Sequence, residues 1–148
     1  MHFGRKGARR AALVLGLVVA GCGGAMGAAA PQLASAQQQS PQGAQVYGGQ
    51  CAGCHGKDGG GGAHAPPVMG AEGLPLHGHD GDTGPFASAQ DVFGYIKAKM
   101  PLPKSHAGTL SDAQYWAVTN YILAGKGVKL PEGGVTSANA SSVVVNAH

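Results

Sequence analysis

The apolar positions of this chain fall into one continuous run and three periodic stretches. The run is Ala11-Ala-Leu-Val-Leu-Gly-Leu-Val-Val-Ala20, preceded by Arg5, Lys6, Arg9 and Arg10. A basic segment followed by a short apolar one reads as an export signal. It falls short of the roughly 20 apolar residues that a membrane span needs, although its gradual fading through Gly and Ala to Ala30 leaves a retained anchor open. Two processing sites compete. Ala34-Ser35-Ala36 fits cleavage before Gln37, and Val19-Ala20-Gly21-Cys22 resembles a bacterial lipoprotein box with Cys22 as lipid acceptor. Residues 1–36 are therefore read as a signal peptide, lipoprotein leader or N-terminal anchor. The Arg9-Arg10 pair suggests a twin-arginine signal only weakly, and that reading is set aside because the chain is expected to cross the membrane unfolded.

The periodic stretches predict three helices. In the first, Ser40 and Pro41 stand as N-cap and first helical residue, and Val46, Tyr47 and Gln50 carry the chain to Cys51. The second runs from Ser88 to about Lys99. Ser88 with Asp91 resembles a capping box, and Val92, Phe93 and Ile96 form one apolar face. Lys97 and Lys99 sit where positive charge complements the helix dipole, and Pro101 ends the element. The third has a capping box in Ser111 and Gln114. Tyr115, Val118 and Ile122, with Trp116, Thr119 and Leu123, repeat at helical spacing, and Gly125 is the expected stop.

Between His55 and Phe86 the chain is rich in Gly and Pro, including Gly59-Gly-Gly-Gly62, and reads as loop. A loop of that length in a compact domain needs something to wrap. Residues 37–128 are taken as one domain and 129–148 as a flexible tail, with Val143-Val144-Val145 able to add a short extended contact. The fold class expected is all-α, with three main helices and long loops.

Composition changes the picture in one respect. The formal +3 charge belongs to the basic leader. From Gln37 onward six lysines face seven acids, one net negative charge. A nucleic-acid partner would need a basic stripe on the folded part, and none is present. Aromatics are few, so a chain of this size buries a thin core unaided. A bound apolar cofactor would supply the missing volume, and the cofactor-free chain is expected to be largely unfolded.

The candidate chemistry lies in Cys51-Ala-Gly-Cys54-His55. C-x-x-C-H reads as a covalent c-type haem attachment site. Thiols three positions apart can each add to one vinyl group of a haem, and the next residue is then held under the iron as proximal ligand. A thiol–disulfide couple is usually found near a βαβ pattern, which is absent here. Structural zinc needs a second ligand pair, and the only other cysteine is Cys22.

The candidates for a second axial ligand are Met69, Met100, His64, His77, His79 and His106. Met100 stands between the second helix and Pro101-Leu-Pro103, whose prolines stiffen the loop of a weakly binding thioether. Met69 follows His55 too closely to reach the opposite side of a haem and reads as core packing. His77, His79, Asp80 and Asp82 form a loop cluster that reads as a solvated turn. His106, close to Met100 in sequence, is a candidate replacement ligand at high pH.

From Gly43 to Gly127 the chain resembles the class I cytochromes c of bacterial export type. Gly43-x-x-x-Tyr47-x-x-x-Cys51 is similar to the family's N-terminal helix, and Tyr121 to the aromatic of its last helix; the small Gly43 would let the two cross closely. Ala65-Pro66-Pro67-Val68-Met69-Gly70 resembles the segment whose proline carbonyl accepts the free N–H of the proximal histidine, which assigns that role to Pro66. Lys99-Met100-Pro101 resembles the distal loop. The resemblance implies a cytochrome c-like fold around one covalent haem c on Cys51 and Cys54, with His55 proximal and Met100 distal. The extra loop at 72–84 departs from the pattern.

The expected function is one-electron transfer by a single-haem periplasmic protein, with a periplasmic dehydrogenase or a terminal oxidase or reductase as redox partner. The haem edge would form the contact, with Lys57, Lys97, Lys99 and Lys104 as steering charges. The alternative is a dedicated haem subunit of a periplasmic dehydrogenase. An enzyme or gas sensor would need Met100 off the iron. Membrane attachment would come through the leader or a lipidated Cys22.

Overall fold

The computed structural model describes residues 29–75 and 86–146. The basic leader, Cys22, and the His77, His79, Asp80 and Asp82 cluster lie outside the described residues. Among the described residues five α-helices run in the order α1 (Ala29–Gln39), α2 (Pro41–Gln50), α3 (Ala52–His55), α4 (Ala89–Lys99) and α5 (Asp112–Lys126), with 3-10 turns at Lys104–His106 and Ala140–Ser142. Among the described residues the only β-type pairing is an isolated bridge between Ser88 and Val144, so the all-α expectation holds.

Helix α5 is the organising element. Tyr115, Val118, Thr119 and Leu123 are wholly buried, and α1, α2 and α4 all pack against it. Burying each large apolar side chain contributes about 1.5–3 kcal/mol. Both predicted capping boxes form. Ser88 and Asp91 exchange side-chain and main-chain bonds at the start of α4, as do Ser111 and Gln114 at the start of α5.

Two details of the helix ends differ from expectation. Ser40 precedes Pro41 as expected, but its hydroxyl makes no cap bond. It donates instead to the Ala117 carbonyl of α5 at 2.9 Å, so a side chain read as a local cap joins two helices. The expected stop at Gly125 is corrected to Gly127. Gly125 is a buried helical residue beneath the Met69 side chain, whereas Gly127 adopts the left-handed conformation (φ 92°) that ends many helices.

Helices α2 and α5 cross at Gly43. A Cβ there would collide with the Ala117 carbonyl and with Tyr121, so only glycine allows this approach. Four residues on, the Tyr47 ring lies against that of Tyr121, with centroids 5.3 Å apart and planes tilted by 56°.

Helix α1 was not expected. It crosses the Ala34-Ser35-Ala36 segment read as a processing site, Ala36 is wholly buried, and Leu33 packs on the core. The run is poor in large apolar residues, which is why its periodicity carries no signal.

The tail expected to be flexible is packed. Val135, Ala140 and Val145 are buried. The Asn120 side chain holds the Val135 main chain from both sides, donating to its carbonyl at 2.9 Å and accepting from its N–H at 2.6 Å. Val143 and Val145 bond to the main chain of Ala89 and Ala87, the short extended contact expected of that valine run. Asn146 donates to the carbonyls of Leu74 (2.7 Å) and Phe86 (2.9 Å). The physical reason is that polar side-chain-to-backbone bonds order a segment that has no helical period of its own.

Candidate haem c site

The pentad sits at the exit of α2. Cys51 caps that helix, its N–H bonded to the Tyr47 carbonyl. The chain then makes the single turn of α3, so that Cys51, Cys54 and His55 lie within one short element. Neither cysteine is in a disulfide; Cys51 is partly buried and Cys54 exposed. Burial, with a smaller contribution from Cys54, pushes the Cys51 thiol up to about 11.

His55 and the residue after it are held by three hydrogen bonds. The His55 Nδ1 lies 2.8 Å from the Pro66 carbonyl oxygen. A carbonyl can only accept, so Nδ1 carries the proton and the Nε2 lone pair is left for a metal. The His55 carbonyl accepts from Gly61 N–H at 2.9 Å. The carbonyl of the next residue, Gly56, accepts from the Tyr47 hydroxyl at 2.9 Å. The proline segment can lie this close because Gly61 has φ 87° and no side chain. A Cβ there would stand 2.8 Å from the Pro67 nitrogen. Below it, Val68 and Met69 both donate to the Gly59 carbonyl, closing the glycine loop on itself.

The two methionines have different surroundings. Met69 is 4 % exposed, its side chain laid over Gly59 and Gly125. Its sulfur fills the core, in line with the packing role expected for it. Met100 follows the last residue of α4 and is only partly buried. Its N–H bonds to the Ile96 carbonyl at 2.8 Å and its carbonyl accepts from the Tyr115 hydroxyl at 3.1 Å. Helical periodicity marked Tyr115 as core; the polar end of that side chain left no trace in the spacing. His64 and His106 are exposed.

Phe93, Tyr95, Leu110 and Trp116, like Met100, are partly buried and pack against the core. Phe93 stacks on Trp116 with centroids 3.8 Å apart and planes 11° apart, and meets Tyr115 edge-on at 6.4 Å. The donor set thus fits a covalent haem: two thiols three positions apart and outside any disulfide, an imidazole whose Nδ1 is engaged by a carbonyl, and a partly buried thioether at the end of α4.

The lysines divide. Lys97 is engaged by Asp112 at 2.7 Å and lies 5.8 Å from the Phe93 ring centroid, and Lys126 donates to the Gly73 carbonyl at 2.5 Å. Lys57 and Lys104 are exposed, and Lys99 is partly so. Among the described residues no three of His, Cys, Asp and Glu converge as a further metal site, and no helix is long and apolar enough to cross a membrane.

Comparisons with known proteins bear on the family. The chain shares 37 % identity over 90 residues with the thiosulfate dehydrogenase of Stutzerimonas stutzeri (strain A1501), covering 55 % of this chain and 25 % of the relative. Its fold is similar to a chain in the crystal structure of the sulfane dehydrogenase SoxCD from Paracoccus pantotrophus, with a TM-score of 0.54 and 27 % identity over 71 % of this chain and 52 % of that one. The chain therefore spans a quarter of the length of the first and about half of the second. Residues 38–122 match the family described as cytochrome C oxidase, cbb3-type, subunit III. That match takes in α2 to α4, most of α5, the pentad and Met100, and on it the chain belongs to the c-type cytochrome family, carries covalently bound haem c and serves electron transfer.

Proposed function

We propose that this chain is a single-haem, one-electron carrier of the bacterial periplasm, with Cys51 and Cys54 as thioether anchors, His55 as proximal ligand and Met100 as distal ligand. The bond from His55 Nδ1 to the Pro66 carbonyl carries the reading. It favours the tautomer that presents Nε2 and orients the ring, as hydrogen-bonded metal ligands require. Bound haem c supplies a one-electron iron couple, and His/Met ligation raises its potential relative to two nitrogen ligands.

The residues around the site serve that role by holding still. Tyr47, Gly61 and Pro66 fix His55, while Ile96 and Tyr115 hold the main chain of Met100. His55 and Met100 would together hold the iron of a bound haem c, leaving it to serve electron exchange rather than substrate binding.

The two relatives favour a dehydrogenase as partner, either as a docking protein or as the assembly to which this chain belongs. The names thiosulfate dehydrogenase and sulfane dehydrogenase point to a sulfur-compound dehydrogenase as electron donor. Transient electron-transfer contacts are small. Lys57, Lys99 and Lys104 are the charges available to steer such a contact. On a surface with one net negative charge, steering and its salt dependence are expected to be modest.

Absorption spectra of the oxidised and reduced holoprotein test the ligand assignment. A low-spin spectrum with a thioether-to-iron charge-transfer band is expected. Met100→Ala should keep the haem, abolish the band and let the reduced iron bind carbon monoxide. A high-spin wild type that binds carbon monoxide at neutral pH would leave the haem and remove the carrier. Size-exclusion chromatography of the native protein separates a free carrier from a fixed subunit.

A further inference from the structure

The loop from Met100 to Gly108 carries the candidate distal ligand; Pro101 is buried and Met100 packs on the core, but residues 102–106 are exposed. Leu102, beside Met100, is 62 % exposed. The nearby Lys97–Asp112 ion pair joins α4 to α5, but its side chains are 43 % and 68 % exposed, and such pairs stabilise little. One buried side chain spans the loop instead. The Tyr115 hydroxyl donates to the Met100 carbonyl at 3.1 Å and accepts from Gly108 N–H at 2.8 Å. The residue itself is 0 % exposed. Phe93 meets its ring edge-on at 6.4 Å, and its N–H bonds to the Ser111 carbonyl at 3.0 Å, so the hydroxyl is held on the best-packed helix of the fold.

We propose that Tyr115 is a positioning residue that clamps both ends of this loop through one hydroxyl and thereby keeps Met100 in place for the iron. The inference rests on the reading of Met100 as distal ligand. A thioether binds iron weakly, so whatever limits the freedom of its main chain sets how often it is off the metal. The Met100 N–H is held by α4 and its carbonyl by α5. Without the hydroxyl the second tie is lost, and the Gly108 N–H loses its partner as well.

Tyr115→Phe in the holoprotein is the test, with Tyr121→Phe as control. Tyr121 lies on the same helix beside Tyr47, away from the loop. Loss of the two hydrogen bonds should raise the fraction of iron free of Met100 by roughly tenfold. The readouts are the rate of carbon monoxide binding to the reduced protein and the pH at which the thioether band disappears. Tyr121→Phe should move neither, even if it lowers global stability as much. Equal effects from the two variants would overturn the clamp, as would no effect from Tyr115→Phe when the wild type shows the band. A wild type without the band would remove the Met100 assignment, and the clamp with it. If Tyr115→Phe fails to hold haem, amide exchange in the unaltered protein decides. A Gly108 amide protected from exchange supports the clamp, and one exchanging as freely as an open loop overturns it.

Discussion

Gly43 and Tyr121 meet with no room between them: a Cβ at position 43 would lie 2.7 Å from the Tyr121 Cβ and closer still to the Ala117 carbonyl oxygen. Both neighbours belong to α5, which also carries Tyr115 and the packing for α4 and α1. Gly43→Ala must therefore push two backbones apart, since a main-chain carbonyl cannot rotate away. Overpacking of this kind costs about 2–3 kcal/mol. Urea denaturation of the holoprotein, followed by Soret absorbance, should show the unfolding free energy falling by that amount and the midpoint with it. An unchanged midpoint would mean that the helices do not cross where the structure places them.

The parts of the fold that were legible in the sequence are those written in short-range chemistry. The capping boxes at Ser88 and Ser111 each occupy four residues, and the structure forms both. The pentad is as local, and the Gly43–Tyr121 crossing and the Pro66 contact followed from a family resemblance. What stayed hidden depends on partners far away in sequence. Ser40 reads as a cap until Ala117, 77 positions on, is beside it. Asn120 is a polar interruption of α5 until the tail returns to Val135. Tyr115 has the right period for the core, and nothing in that period announces that its hydroxyl reaches Met100.

Asn120 makes the sharpest case for the tail. It satisfies both polar groups of the buried Val135 main chain and also donates to Trp116 in its own helix. Asn120→Ala should leave the Val135 N–H and carbonyl without partners, at a cost of about 1–3 kcal/mol. The tail should then become open to limited proteolysis while the Soret spectrum stays unchanged, because none of these bonds touches the pentad. Unaltered cleavage kinetics would mean that apolar contacts at Val135 and Val145 suffice.

The N-terminal helix gives a third prediction. Ala36 is wholly buried and Leu33 packs on the core. A chain trimmed to begin at Gln37 loses both and uncovers part of α5. Leu33 and Ala36 together bury a modest apolar area, so the trimmed holoprotein should lose about 2 kcal/mol and melt several degrees lower. Differential scanning calorimetry of the two forms checks this. Equal melting temperatures would show that α1 is a passenger on the fold.

The buried phenols set the behaviour at high pH. Burial raises the Tyr47 hydroxyl well above the usual phenol value, with smaller contributions from Cys51, Tyr121 and Asp58; the Cys51 part disappears once that sulfur is a thioether. Burial raises Tyr121 as well, partly offset by a bond from Gln37. For an acid whose folded pKa is raised, the folded state keeps its proton where the unfolded chain has lost it. Stability from this source is whole below pH 10 and falls as pH rises through the raised value, by up to about 1.4 kcal/mol per pH unit for each group. Lys126 has the opposite sign: burial lowers its pKa from 10.5, so its neutral form is favoured in the fold and stability grows as pH approaches that value. Tyr47→Phe isolates the phenol. It gives up the bond to the Gly56 carbonyl, about 1 kcal/mol at neutral pH, and removes one titrating group. Urea midpoints measured from pH 8 to 12 should start lower for the variant and decline less steeply above pH 10. Parallel curves would mean that the Tyr47 hydroxyl ionises as readily in the folded protein as in the unfolded chain.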